Sequence, residues 1–316
     1  MWGLKARHFG FLVTLPLAAC AAGIRLSDAD RTELRRQSVV HVLHYESHAP
    51  RIETSNKAQA PHPSAVRRHA AADPAALEAA RRAARLAEDA GLREPYAEAL
   101  NAEAIVHQTR EDFAKAIPLL ERMLEITADA KGQGIALQNL GSIAAQQGDF
   151  ARARRFFLRS HRCFEQAGYT HGVAFVLNNF GRAALDHANA RVAIPMLEDA
   201  LGAARRVGDH DLEAIVHRNL AEAAVAIDDR DGAHTHLEAA ERTFAAAGNR
   251  ARLVECLRLR GELAEREMGS DAAREQYRLA HALAAEVGAL GEVARLLERL
   301  TALGDAAPDD PPARAR

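Results

Sequence analysis

An all-α fold, a solenoid of stacked helix hairpins, is predicted by three features of this 316-residue sequence. The first is self-similarity. From Asn139 to Glu298 the chain repeats every 40 residues without a gap, and a fixed period of this length marks stacked supersecondary units. The second is composition. Hydrophobic residues make up 48% of the chain but aromatics only 5%, a mixture rich in Ala and Leu that suits close-packed helices better than a β-sandwich. The third is punctuation: Gly168, Gly208, Gly248 and Gly288 recur at one position of the frame, where a helix end calls for a residue able to take positive φ.

Between those glycines the frame holds in column after column. Asn139, Leu140, Gly141 return as Asn179, Phe180, Gly181, then as Asn219, Leu220, Ala221 and, more worn, as Leu259, Arg260, Gly261. Ala144, Ala184, Ala224 and Ala264 follow, then Ala153, Ala193, Ala233 and Ala273. Phe157, Leu197, Leu237 and Tyr277 form the next column, and Ser160, Ala200, Ala240 and Ala280 the last before the glycine.

Residues 1–19 stand apart from the fold as a targeting segment. Lys5, Arg7 and His8 form a short positive region, and Phe9 to Ala19 is apolar apart from Thr14. That apolar run is too short for the roughly 20 residues needed to span a bilayer, so it reads as the core of a signal peptide. It ends Leu17, Ala18, Ala19, Cys20, which resembles the lipobox of bacterial lipoproteins. The resemblance implies that Cys20 becomes the first mature residue and carries acyl chains, each buried CH₂ adding about 0.8 kcal/mol of membrane affinity. Ala21 rather than Asp follows, which in the enteric form of the rule implies an outer-membrane lipoprotein of the cell envelope facing the periplasm. An ordinary cleaved secretory signal is the alternative.

Residues 20–73 read as a tether. Ser27 caps a short helix to Gln37, with Asp28 and Asp30 in its first turn. Val39 to Tyr45 alternates as one strand without a visible partner, and Pro50, Pro61 and Pro63 lie in a linker. The repeat domain covers 74–303. It opens with Asp73 as N-cap and Pro74 at the first helical position. An incomplete copy and a 37-residue copy precede the regular frame, and Leu290, Val293, Leu296, Leu297 and Leu300 form the stripe of a closing cap helix. Residues 304–316, rich in Pro and charge, read as a disordered tail.

Within one copy, Ile135, Leu137, Leu140, Ile143 and Ala144 share a helical face, and Gly148-Asp149 interrupts it. A second helix buries Ala153, Phe156, Phe157, Ser160 and Phe164 before Gly168. Small residues at 141, 144 and 153 let the two helices cross closely, and Phe157 fills the space left over. Leu140, Gly141, Ala144, Ala153, Phe157 and Ser160 resemble the tetratricopeptide repeat in their spacing. The resemblance implies a right-handed superhelix of hairpins with a groove along the first helices. It departs in its 40-residue period, where the family norm is 34, and in lacking a closing proline. Pro118 and Pro195 are instead expected in the first turns of second helices.

The resemblance implies a partner, a protein or an extended peptide, in that groove. Its candidate lining is Asn101, Gln138, Asn139, Asn178, Asn179, Arg182, Arg218, Asn219 and Arg258, with Glu98, Ser142, Glu222, Glu255 and Glu262 alongside. Asn carries both donor and acceptor, and the row Asn139, Asn179, Asn219 resembles the asparagine ladder of scaffolds that hold extended peptides. The same row could instead bond neighbouring helices and hold the solenoid in shape. Arg182, Arg218 and Arg258 could fork onto carboxylates.

Other function classes find little support. The formal net charge of −2 gives no reason to expect nucleic acid. Cys20, Cys163 and Cys256 are too few for a disulfide framework, and Cys163 and Cys256 read as buried small side chains too far apart to bridge. His41, His44 and His48 lack acidic or Cys partners at metal-ligand spacing. His234 and His236, like the cluster Glu262, Glu265, Arg266, Glu267, read as solvated. No phosphate loop, nucleophile elbow or zinc-binding helix motif is present, so neither catalysis nor a cofactor is expected. The expectation is therefore a lipid-anchored scaffold or assembly factor, with a sensor of a small molecule or signalling peptide as the alternative.

Overall fold

The computed structural model describes residues 74–304, which form twelve helices joined by short turns. They are α1 (Pro74–Asp89), α2 (Arg93–Thr109), α3 (Phe113–Ile126), α4 (Ala130–Gln146), α5 (Phe150–Gln166) and α6 (Thr170–Asp186). After them come α7 (Ala190–Val207), α8 (His210–Ala226), α9 (Arg230–Ala246), α10 (Arg250–Glu267), α11 (Ser270–Glu286) and α12 (Leu290–Ala302). The signal segment with Cys20, the expected helix at 27–37, the strand at 39–45, the linker, His41, His44, His48, the Asp73 cap and the tail beyond Gly304 lie outside the described residues. Where the sequence reads one array, the chain divides into two compact units, Met1–Ile143 and Ala144–Arg316.

In the first unit α2 packs against α1 and α3. Alanines close the α1–α2 contact, with Ala83, Ala87 and Ala99 buried beside Leu92 and Tyr96. Ala97, Leu100, Met123 and Ala136 form the next layer. In the second unit every helix from α5 to α12 packs on the one that follows, and α8 also touches α6 and α10, the first helices before and after it.

The period-40 columns are the packing rules of this unit. A Cβ built on Gly181 of α6 would lie 2.5 Å from Leu197 Cγ of α7. One on Gly261 of α10 would lie 2.4 Å from the Tyr277 ring of α11. A glycine on the first helix thus admits a large residue from the second, and Phe157, Leu197, Leu237 and Tyr277 are all fully buried. Ala153, Ala193, Ala233 and Ala273 have no exposed surface because a larger side chain would push the helices apart.

Each hairpin is closed at both ends by local chemistry. Gly168, at φ 61°, ends α5. Its N–H donates to Glu165 O while Tyr169 N–H donates to Phe164 O, the paired bonds of a Schellman motif. The turn inside the hairpin needs a left-handed residue as well. Gly148 and Gly269 supply it without strain, whereas Ala188 (φ 53°) and Asp228 (φ 61°) carry a Cβ there. Asp149, Asp209, Asp229 and Asn249 cap the helices that follow them, each accepting from a backbone N–H three residues on. Pro118 and Pro195 stand at the sixth residue of α3 and α7, one turn deeper than expected, because each helix begins directly after its capping position.

Candidate functional site

The first helices of the second unit, α6, α8, α10 and α12, turn one face toward a common cleft of about 390 Å³. Its lining alternates in charge: Arg182 and Asp186 from α6, Arg218 and Glu222 from α8, Glu255 and Arg258 from α10, Glu292 and Arg295 from α12. Two spacings generate this pattern. Along a helix, each arginine meets an acid one turn on, as in Arg182–Asp186, Arg218–Glu222 and Arg258–Glu262. Between helices, Arg182 Nη2 donates to Glu222 Oε1 over 2.8 Å, 40 residues away. Arg218 Nε lies 3.5 Å from Glu255 Oε2, and Arg258 Nε 3.7 Å from Glu292 Oε2. The result is a ladder of ion pairs that links α6 to α8, α8 to α10 and α10 to α12.

The ladder is half-buried, so its electrostatics are strong. Burial raises the Glu222 carboxyl, but hydrogen bonds and charge from Arg182 and Arg218 outweigh it and hold the group below the usual carboxylate range. Burial opposes the charge on Arg182 too, yet Glu222 and Asp186 keep it more basic than a free guanidinium. Arg218 is the deepest member, and burial there depresses its basicity despite Glu255 and Glu222. Arg218 Nε, Arg258 Nε and Glu292 Oε2 are buried without a hydrogen bond, each held only by its longer ion-pair contact.

The expected asparagine row takes a different role. Asn139 Nδ2 donates to Asn101 Oδ1 over 2.6 Å within the first unit, and Asn219 Nδ2 donates to Asn178 Oδ1 over 2.7 Å within the second. In both, an asparagine reaches back to the neighbouring column of the hairpin before it. Asn219 is 1% exposed and cannot meet a partner, so its place is in packing. This corrects the ligand-contact reading for that residue. Asn178 is buried as well, with Nδ2 3.5 Å from Asn179 Oδ1, while Asn101, Asn139 and Asn179 are half-buried. Gln138 is half-buried in α4, where its carbonyl accepts from Ser142 Oγ.

Three smaller readings change. His236 is not solvated: its Nδ1 lies 2.9 Å from His217 Nδ1, and Arg205 Nη2 stands 3.3 Å from the far nitrogen of His217. Burial, then His236 and Arg205, push His217 down to about 4. His234 pairs with Glu267 at 3.1 Å. The cluster at 262–267 ties hairpins together, Glu265 taking Arg299 and Arg266 donating to the Val225 carbonyl. Cys256 is buried, its thiol pushed up to about 12 by burial and then Glu241, while Cys163 is only half-buried. No group of three or more His, Cys, Asp or Glu is placed to hold a metal ion among the described residues.

Two features escaped the sequence reading. Glu222 and Glu255 were in view, but Asp186 and Glu292 were not, and the inter-helix arginine partners lie 34 to 40 residues away, so only the stacking shows that they pair. The second is the run Arg152, Arg154, Arg155, Arg159, Arg162 on α5, whose arginine spacing was the available signal.

Residues 133–206 match the Tetratricopeptide repeat family model, and no curated protein matches the sequence. Among solved structures, a signal transduction ATPase with numerous domains from Pyrococcus horikoshii, bearing a tetratricopeptide repeat sensor, aligns at 14% identity and TM-score 0.64. The alignment covers 87% of this chain, which spans 43% of that protein. Aspartyl phosphate phosphatase F from Bacillus subtilis aligns at 12% identity and TM-score 0.55, over 96% of this chain and 86% of its own. Yeast Tom70 aligns at 16% identity and TM-score 0.52, over 93% of this chain and 61% of its own. At these identities the likeness concerns the fold, and that fold, like residues 133–206 in sequence, is the stacked hairpin of the tetratricopeptide repeat.

Proposed function

We propose that this protein is an interaction scaffold that holds a protein segment on the first-helix face of its second unit, without chemistry of its own. One observation carries the reading, the alternating ladder from Arg182 to Arg295 around an open cleft. An apolar partner there would strip water from the exposed charged groups and offer no hydrogen bond in return. A segment carrying both signs can exchange pairs with the exposed members of the ladder, such as Asp186 and Arg295. We further propose that acyl chains on Cys20 tether the scaffold to a bacterial outer membrane. Support comes from the run Leu17, Ala18, Ala19, Cys20 behind an apolar stretch.

A photo-cross-linking residue placed at Asp186 or Arg295, both at the rim of the cleft, should yield a discrete protein adduct in cells. The same residue at Glu275, exposed on α11, should not. Adducts from Glu275 alone, or from all three positions alike, would remove the reading. Labelled palmitate should enter wild type and not Cys20→Ala, and equal labelling would end the anchoring proposal.

A further inference from the structure

A second interaction surface lies on the other helices of the same unit. Helix α5 carries five arginines against one acid, Glu165. That acid lies 3.5 Å from His161. Arg154, Arg155, Arg159 and Arg162 are all exposed, and none of them forms an ion pair among the described residues. The nearest acids in the repeat frame, Glu198 and Asp199 of α7, stand one 40-residue step from Leu158 and Arg159 and pair with none of them. By contrast α9 and α11 carry more acids than arginines. An unneutralised row of this kind lowers stability through self-repulsion, so packing within the hairpin does not account for it.

Beside the row lies a cavity of about 280 Å³ walled by Phe150, Leu158, Phe180, Val192 and Met196, with Arg154 at its edge. Its walls are preformed. Phe150 stacks on His187 at 5.1 Å and tilts against Phe180 at 6.2 Å, and Phe180 stacks on the buried Phe157 at 5.8 Å. The volume falls just under the roughly 300 Å³ at which small-molecule sites begin and suits one large apolar side chain. Leu158, at 37% exposure, links the cavity to the arginines.

We propose that α5 and α7 dock an acidic protein segment that inserts one large aliphatic or aromatic side chain between Phe150 and Met196 and pairs its carboxylates with Arg154, Arg155, Arg159 and Arg162. Charge complementarity selects an acidic partner, and the recessed apolar site selects an anchor that enters it. A bilayer surface fits poorly, because an interfacial helix needs a broad protruding apolar stripe and α5 and α7 expose only Leu158 and Val207 among their large apolar residues. This surface is separate from the first-helix cleft.

The test uses the full chain and a synthetic Glu- and Asp-rich peptide with one central Leu, followed by fluorescence anisotropy at low salt. Binding should weaken about tenfold in Arg155→Glu/Arg159→Glu/Arg162→Glu, as three exposed pairs are lost. A comparable loss is expected when the peptide Leu becomes Ser, while cross-linking from Asp186 stays unchanged. These arginines are exposed, so the variant should melt with wild type, and circular dichroism checks this. A peptide that does not bind, binding indifferent to the arginines or to the Leu, or arginine-dependent capture of phosphatidylglycerol vesicles or single-stranded DNA in place of the peptide would each overturn the proposal.

Discussion

Asn179 and Asn219 occupy one column of the repeat, yet the structure predicts opposite consequences for their removal. Asn219 is fully buried and donates to Asn178 Oδ1 over 2.7 Å, across the step from one hairpin to the next. Asn219→Ala deletes that bond and leaves a buried carbonyl oxygen on Asn178 without its donor, a penalty of about 1–3 kcal/mol. Part of this is offset, because Asn219 Oδ1 has no hydrogen bond of its own and leaves with the side chain. The net loss should be about 1–2 kcal/mol. Asn179 is half-buried, with only a 3.5 Å contact to Asn178, and Asn179→Ala should stay within about 0.5 kcal/mol of wild type. Urea unfolding followed by circular dichroism measures both, with midpoint and slope fitted separately because a stacked array can unfold in segments. The double variant Asn178→Ala/Asn219→Ala should lose less than the sum of its singles, since the two share one bond. If Asn219→Ala matched wild type, or Asn179→Ala were equally harmful, the assignment of this column to packing would fail.

Three further outcomes follow from the geometry. Ala188 sits at φ 53°, where a Cβ costs about 1–2 kcal/mol. Ala188→Gly should therefore stabilise by about 0.5–1 kcal/mol once the added freedom of the unfolded chain is counted, read as a raised urea midpoint. Gly181→Ala should destabilise by about 1–3 kcal/mol despite better helix propensity, because its Cβ would meet fully buried Leu197 at 2.5 Å, and Leu197→Ala in the same chain should recover part of the loss. His217 is neutral in the fold down to about pH 4, whereas an unfolded histidine protonates near pH 6.5. The unfolded state binds more protons in that window, so stability is full above pH 6.5 and should fall by up to about 3 kcal/mol toward pH 4. His217→Gln should flatten that fall, measured by urea titration at stepped pH.

The helix hairpins were legible because their determinants are local. A C′ glycine, an N-cap such as Asp149 or Asp209, and alanines and leucines in helical period all act within one or two turns. The column pairing Gly181 with Leu197 was equally readable, since a repeated small residue facing a repeated large one implies close crossing. The two compact units were not, because the 40-residue frame runs through residue 143 without a mark. The roles along the first helices were hidden for a related reason. Asn139, Asn179 and Asn219 look alike in sequence, but only Asn219 is fully buried.

By itself, then, the sequence determined that the described chain is a stack of hairpins, where each hairpin turns, and which small residues let helices touch. These are consequences of periodicity and backbone chemistry that any window of one repeat contains. Only the tertiary structure decided that Arg182, Arg218 and Arg258 answer acids of the protein itself, that Asn219 is a packing residue, and that the arginines of α5 stand unpaired beside an apolar cavity. Those facts depend on distances between residues some 40 positions apart, which stacking sets and no single repeat encodes.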